Sequence, residues 1–284
     1  MKRVVLAAIA GVSVLALGAC QSDTRALEKK IDDLNQKVDK LLQSGGAGAN
    51  RPQPPRRPQP DAAKTYSVPV DGDPFDGPAD AKVTLVKAYD YACPYCEKVG
   101  PTMEELRKKY GNDLRIVYKQ FVVHPQVAMA GALSSCAANK QGKFAELDHL
   151  LWEKGFKGRQ FDKDVQPAEG NGAPQRCWDS DAGCPVVLGF ANELQLDTSK
   201  FKTDMKECNG LVSKDMKELQ QLGVGATPSF FVNGRFLSGA MPIENFSALI
   251  DEELKKATDA INGGISQADY YKTAVVEKGL KTVQ

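Results

Sequence analysis

The chain is short of the residues that build most metal and nucleic-acid sites. It has two histidines, His124 and His149, and a formal net charge of +1 with 26% charged residues. So balanced a surface offers no basic stripe of the kind phosphate backbones require, and this argues against nucleic acid as a partner. Arg51, Arg56 and Arg57 come nearest to a cluster, but they sit among prolines, as in a solvated linker. Cysteine pairs at metal spacing are missing as well. Cys93 and Cys96 form a CxxC, whereas Cys136, Cys177, Cys184 and Cys208 make no second one; a structural zinc site calls for four ligands with another pair at similar spacing. No metal and no cofactor is expected. No internal repeat is evident, and the long apolar run from Val4 to Leu17 is shorter than the ~20 residues that span a bilayer.

That run follows Lys2 and Arg3 and ends in Gly18 and Ala19 before Cys20, the order of a signal peptide. Leu17-Gly18-Ala19-Cys20 resembles a bacterial lipobox, in which the cysteine is lipidated and opens the mature protein, so residues 1–20 read as a lipoprotein signal peptide. The other reading is an ordinary signal cut nearby, which leaves Cys20 as a spare thiol, a liability in an oxidising compartment. Both readings export the chain. By resemblance to enterobacterial sorting, Gln21 in place of an aspartate favours the outer over the inner membrane. The expected location is the bacterial cell envelope, lipid-anchored and facing the periplasm.

Within residues 21–44, apolar side chains fall at 27, 31, 34, 38 and 41. This 4-3 spacing puts Ile31 and Val38 at a and leucine at d of a short coiled coil, which favours a parallel dimer and leaves a trimer open through residues 24–43. The g and e positions make no opposite-charge pairs, and three heptads are marginal alone in water. A partly helical spacer that lifts the domain off the membrane is the competing reading. Residues 45–64 are rich in Gly, Ala and Pro, a linker whose proline-rich half favours semi-rigid polyproline II. Residues 65–284 remain as one α/β domain, large enough for a sheet with a helical insertion at about 125–222.

In that domain Val83 to Tyr89 reads as a buried strand, Cys93 to Tyr110 as a helix, and Leu114 to Lys119 as the next strand. Helical patterns follow at 127–140, 143–154, 186–195 and 211–222. Ser229–Val232 and Arg235–Leu237 flank Asn233-Gly234, the strongest short hairpin signal. An amphipathic helix from Pro242 to Ala257 and a last one over 267–277 close the chain.

Cys93-Pro94-Tyr95-Cys96 sits where a strand becomes a helix. Free N–H groups and the positive end of the helix dipole there stabilise a thiolate at Cys93. Cys96, one turn on, is expected to be buried and protonated, suited to resolving a mixed disulfide. Pro94 in the first turn costs nothing, because its missing N–H has no helical partner there.

The segment Gly225-Ala226-Thr227-Pro228-Ser229-Phe230-Phe231-Val232-Asn233-Gly234 makes the resemblance specific. With the CxxC it resembles the thioredoxin superfamily, and within it the DsbA-like periplasmic thiol-disulfide oxidoreductases. Further matches are Gly77-Pro78-Ala79-Asp80-Ala81, His124-Pro125 and Gln141-Gly142-Lys143-Phe144. The resemblance implies a thioredoxin fold with an inserted helical subdomain, a cis-proline at Pro228 facing the CxxC, and pairing of substrate peptide with the Thr227 backbone. It also implies substrates that are exported proteins with cysteines, and a membrane redox partner that recharges the CxxC. One departure is Lys87, where relatives carry an acidic residue thought to help move a proton near the buried cysteine. Lys87 then tunes the site, favouring the Cys93 thiolate by charge or going neutral if buried; the alternative is a side chain snorkelling to the strand edge. Pro94-Tyr95 is the pair of isomerase-type relatives and implies a milder oxidant.

The four other cysteines read as structural disulfides in an oxidising compartment, with Cys177–Cys184 bounding a short loop and Cys136–Cys208 joining two helices favoured among three pairings. Trp152, Trp178, Phe156 and both histidines read as packing or structural residues. The expected function is disulfide formation or isomerisation in exported proteins through Cys93 and Cys96. The competing class is a non-catalytic surface lipoprotein that binds partner peptides through the thioredoxin groove.

Overall fold

The computed structural model describes residues 29–40, 58–164 and 176–283. The expected signal peptide with Cys20, the ends of the stalk and most of the linker lie outside them. The chain divides into two compact units, Met1–Arg56 and Arg57–Gln284. Of the first, residues 29–40 are α-helical (α1), with an exposed Asp33–Lys37 ion pair at 2.8 Å.

The second unit is built on a mixed sheet of five strands: β1 (Phe75–Asp76), β2 (Val83–Tyr89), β3 (Leu114–Gln120), β4 (Ser229–Val232) and β5 (Arg235–Ser238), in the order β1-β3-β2-β4-β5. β2 and β3 run parallel and the other pairs are antiparallel. β2 is buried at all 7 residues, as befits a central strand covered on both faces. The Asn233-Gly234 turn has φ 44° and 81° at its two residues, the left-handed pair that a type I′ hairpin demands. The Asn233 amide also ties β4 to β2, accepting from Thr84 N at 2.8 Å and donating to the Lys82 carbonyl at 3.2 Å.

Between β2 and β3 lie α2 (Pro94–Lys98) and α3 (Gly100–Tyr110). The single helix expected from Cys93 to Tyr110 is broken at Val99 because Pro101 has no N–H for the turn before it. α3 and α8 (Ile243–Asn262) cover one face of the sheet, where Val83, Leu85, Ile116 and Phe230 meet Met103, Leu106, Phe246 and Ile250. The other face carries Val86, Ala88, Val117 and Phe231 against Tyr66, Val68, Leu219 and Leu222. Pro60 is buried and Arg235 Nε donates to the Ala62 carbonyl at 2.8 Å, so the folded unit begins before Thr65. The chain closes with α9 (Gln267–Tyr270) and a π-helical turn, Tyr271–Val276.

The insertion between β3 and β4 holds α4 (Pro125–Asn139), α5 (Phe144–Leu150) continued by a π-helical stretch Leu151–Lys157, α6 (Pro185–Glu193) and α7 (Thr198–Gln221). α7 starts well before the expected residue 211, capped by Asp197, whose side chain accepts from Lys200 N at 2.9 Å. α4 is rich in alanine and buried throughout from Ala130 to Ala138. At Gly131 a Cβ would stand 3.2 Å from the Tyr91 ring, so the missing side chain lets α4 approach the segment that leads into the CxxC. Disulfides join Cys136 to Cys208, from α4 to α7, and Cys177 to Cys184, 7 residues apart. On the loop-entropy view the long-range bond contributes roughly 4 kcal/mol and the short one about 2.5.

Candidate active site

The CxxC lies at the seam between sheet and insertion. Cys93 and Cys96 pack in one apolar cluster with Tyr89, Tyr91 and residues of α4 to α7. β2 ends at Tyr89, and the turn that follows is fastened by Asp90, which is fully buried. Its Oδ1 accepts from Ala92 N at 2.6 Å, and its Oδ2 accepts from Val123 N at 2.6 Å and His124 N at 2.8 Å, with His124 Nδ1 at 3.1 Å. One carboxylate thus couples the approach to Cys93 with the turn after β3. His124 belongs to this brace, and Asp90 was not singled out in the sequence, although Asp at such turns has a known use.

Cys93 occupies the N-cap of α2, Pro94 the first turn, and Tyr95 is 60% exposed at the rim. Cys93 and Cys96 are both buried free thiols. The Thr227–Pro228 bond is cis, and the Thr227 carbonyl oxygen lies 3.3 Å from Cys93 Sγ. That bond is made only by the thiol. A hydrogen bond from Cys96, another from the Thr227 side-chain hydroxyl, and the N–H groups of Cys96 and Tyr95 stabilise the thiolate and bring Cys93 down to about 5 against the penalty of burial. This is a deep depression for a site without a histidine between its cysteines, and the neighbouring thiol supplies the largest part of it. Burial, together with Cys93, drives the Cys96 thiol far up. The two sulfurs are therefore pushed apart into a nucleophile and a protonated partner.

Lys87 does not snorkel. It lies on the central strand, 4% exposed, with Nζ 5.2 Å from the Tyr89 ring, 5.8 Å from Tyr118 and 5.7 Å from Trp152. Burial lowers its pKa, and charge attraction from Asp148, Cys96 and Cys93 opposes that. Trp152, read in the sequence as packing, is thus also a wall of the site. Asp148, in α5, escaped the sequence reading altogether. Its Oδ1 accepts from Tyr91 Oη at 2.6 Å, Tyr91 Oη accepts from Tyr89 Oη at 3.0 Å, and Gln120 Nε2 donates to Tyr89 Oη at 2.6 Å. Burial pushes the Asp148 carboxyl up while Lys87 and Tyr91 pull it down. In the sequence Asp148 looks like any acidic residue on the wet face of an amphipathic helix.

Comparison with known proteins agrees with this geometry. The family model described as thioredoxin matches residues 70–252. Similar solved structures include a thioredoxin-like oxidoreductase from Silicibacter pomeroyi DSS-3, with TM-score 0.51 and 24% identity over 65% of this chain and 94% of that one. BdbD from Bacillus subtilis in its oxidised form has TM-score 0.53 and 21% identity, covering 68% of this chain and 98% of the other. Alpha-DsbA1 from Wolbachia pipientis has TM-score 0.52 and 16% identity, covering 68% and 96%. At such identities the likeness is one of fold. Among curated sequences, the chain is 29% identical over 195 residues to a Na(+)/H(+) antiporter NhaA of Herminiimonas arsenicoxydans, a match covering 67% of this chain and 27% of that protein. It is 32% identical over 191 residues to NhaA 1 of Salinispora arenicola, covering 64% and 25%. The chain spans only about a quarter of the length of these relatives, and antiport is an attribute of theirs; among the described residues no helix is long and apolar enough to cross a membrane. The chain belongs to the thioredoxin family and has the DsbA-like form of its fold, with a helical insertion between the third strand and the cis-proline strand.

Proposed function

We propose that this chain is a thiol-disulfide oxidoreductase that forms or isomerises disulfides in exported proteins through Cys93 and Cys96. The observation that carries the reading is the split between two adjacent sulfurs beside a cis-proline: Cys93 is held down at about 5, while Cys96, wholly buried, is held up. In disulfide donation a substrate thiolate attacks Cys93 Sγ, the Cys93–Cys96 bond breaks, and Cys96 leaves with a proton. A second substrate thiolate then attacks the substrate sulfur of the mixed disulfide and releases Cys93 as a thiolate, a good leaving group at its low pKa. Thr227 offers its backbone to the substrate segment, and Pro94 and Tyr95 shape the rim.

The proposed organisation is a lipoprotein signal over residues 1–20 with Cys20 lipidated, a helical stalk over 21–44, a linker to about 64 and the thioredoxin domain beyond, its insertion at about 125–222. The protein would face the periplasm from a bacterial membrane, oligomerise through its stalk, and be recharged by a membrane redox partner. Trapping in cells tests the chemistry. Cys96→Ala should accumulate mixed disulfides with exported proteins and Cys93→Ala should accumulate none; the reverse pattern overturns the assignment.

A further inference from the structure

A cavity of about 710 Å³ opens between the turn at residues 70–73, strand β3 and the π-helical turn Tyr271–Val276. It shares no residue with the site around Cys93 and Cys96, and its volume is that of a small-molecule pocket. Val70, Val117 and Val276 stand on its wall among charged side chains. Asp73 is the most deeply seated of these, 5% exposed, whereas Asp71, Lys272 and Glu277 are exposed at the rim. Asp73 Oδ2 holds Lys119 Nζ at 2.7 Å, but its Oδ1 is buried and accepts no hydrogen bond from any described residue. A carboxylate oxygen in that position has lost its water without gaining a donor.

Charge points the same way. Lys119 Nζ faces three carboxylates, Asp73 Oδ2 and Asp215 Oδ1 each at 2.7 Å and Glu218 Oε2 at 3.3 Å, so its single charge is outnumbered. The cations on the cavity wall do not close this gap. Arg115 is tied elsewhere: its Nε donates to Thr84 Oγ1 at 2.8 Å, its Nη1 donates to the Ala79 carbonyl at 2.8 Å, and its guanidinium lies 5.2 Å over the Tyr271 ring. Lys272 stands at the rim with Asp71 and Glu277, which outnumber it. The site is thus one cation short, with an acceptor in place and an apolar wall beside it. A metal ion does not suit this arrangement, because among the described residues no three ligating side chains converge. An ammonium at the end of an aliphatic chain does: it donates to a lone acceptor, and its methylenes suit the valines.

We propose that this cavity is a second site, which binds a primary alkylammonium with its nitrogen on Asp73 Oδ1 and its chain against Val70, Val117 and Val276. A free aliphatic amine and a lysine side chain of another protein share this chemistry. Binding favours the ionised form of Asp73, which burial holds up at about 7. The groups that face Asp73 are Lys119 and Arg115 on β3, Lys214, Asp215 and Glu218 on α7, Asp71 in its own turn, and Tyr271, Lys272 and Glu277 near the C-terminus. Burial raises Asp215 as well, which acts in the same direction, and pushes Tyr271 up, so that the phenol stays neutral. The ligand keeps its charge throughout. Affinity should therefore climb with pH, by at most about tenfold per unit, up to about pH 7 and level off above it.

The test is titration of the ¹⁵N-labelled full-length protein with butylammonium chloride, at an ionic strength fixed with KCl, followed through the amide resonances of Gly72 and Asp73. Their shifts should saturate, and neither butanol nor KCl alone should reproduce them. Asp73→Asn should weaken binding by about tenfold or more, the scale of a lost hydrogen bond to a charged group. Asp71→Asn combined with Glu277→Gln changes only exposed carboxylates and should weaken it about twofold to threefold, which keeps the test decisive if Asp73→Asn fails to fold. Nα-acetyl-lysine methylamide as a second probe separates the two sources: tighter binding than butylammonium supports a lysine side chain, and equal or weaker binding supports a free amine. Butanol shifts as large as those from butylammonium, an affinity that Asp73→Asn leaves unchanged, or one that falls from pH 5 to 7 overturns the proposal and leaves the reading of Cys93 and Cys96 untouched.

Discussion

The Cys93 thiolate yields the sharpest prediction, and the perturbation is Cys96→Ala. Cys93 falls from 9.0 to about 5, and the first cause is the hydrogen bond from the Cys96 thiol. At pH 7 an ordinary thiol of pKa 9 is about 1% ionised, whereas one at about 5 is about 99% ionised, a hundredfold difference in thiolate. Intrinsic nucleophilicity falls with pKa at a slope of about 0.4–0.5, which over four units costs a factor of about 40 to 100. The two effects nearly cancel, so Cys93 attacks no faster than a common cysteine at neutral pH. As a leaving group it gains the same factor with nothing to offset it, and the advantage lies in giving disulfides away. The sign of linkage agrees. A depressed thiol stabilises the reduced fold above its ordinary pKa, and that gain is lost as pH falls through about 5. Each unit makes the disulfide more oxidising by about 30 mV. The assay is alkylation of reduced protein by iodoacetamide from pH 3.5 to 9, with thiolate absorbance at 240 nm as a second readout. The wild type should be half-maximal near pH 5 and flat above about pH 6.5. Cys96→Ala should raise the midpoint by about one unit or more, since it deletes the largest stabilising contact. A wild-type midpoint above pH 8, or one that Cys96→Ala leaves in place, refutes the reasoning.

Two other features make predictions. Lys119 Nζ is buried 2.7 Å from Asp73 Oδ2 and 2.7 Å from Asp215 Oδ1, so one ammonium faces two buried carboxylates and burial holds Asp73 up at about 7. Because the folded state keeps a proton the unfolded state releases, the stability to urea of the oxidised protein, in which Cys93 does not titrate, should fall by at most about 1.4 kcal/mol per pH unit between about pH 4 and 7, then level off. Asp73→Asn should flatten that slope, and a wild-type curve that rises over this range contradicts the assignment. On α1, Ile31, Leu34 and Val38 are 49%, 60% and 49% exposed, so a soluble protein starting at Gln21 should sediment as a larger assembly than one starting at Arg57, where the second unit begins, and should repair scrambled disulfides faster. A monomer at high concentration with no such gain reduces the segment to a spacer.

The parts of this molecule that were legible in the sequence are those whose cause is local. The largely apolar run Val83–Tyr89, interrupted only by Thr84 and Lys87, demanded a strand covered on both faces, and Asn233-Gly234 demanded a hairpin whose φ values only such a pair adopts easily. The start of α7 was less legible. Its inner face is carried by Phe201, Met205, Cys208 and Val212, at helical spacing, but Asp204 and Asp215 are also buried on it. Those two acids dilute the apolar stripe, and their ion pairs to Lys140, Lys200 and Lys119 are tertiary facts. The Val99 break needed the cost of Pro101 to be weighed against an otherwise continuous pattern.

The site divides along the same line. Cys93, Pro94, Cys96 and Thr227-Pro228 are ordered by the turns they occupy, and short motifs announce turns. Asp148 is announced by nothing nearby. Its neighbours Glu146 and His149 are exposed, and its hydrogen bond comes from Tyr91, whose ring packs against the bare Cα of Gly131 on α4. Lys87 was visible as an anomaly because it stands where relatives carry an acidic residue, yet its meaning depended on what stood across the seam. A buried cation on a central strand is tolerable when rings and a carboxylate from another element surround it, and here they come from β3, α5 and the π-helical stretch after it. The insertion therefore does more than cover the CxxC: it carries the charge that makes a lysine sustainable beneath the resolving sulfur. Removing that charge while the lysine stays should cost stability, whereas Lys87→Met together with Asp148→Asn should recover much of it, because the pair leaves no buried charge unmatched.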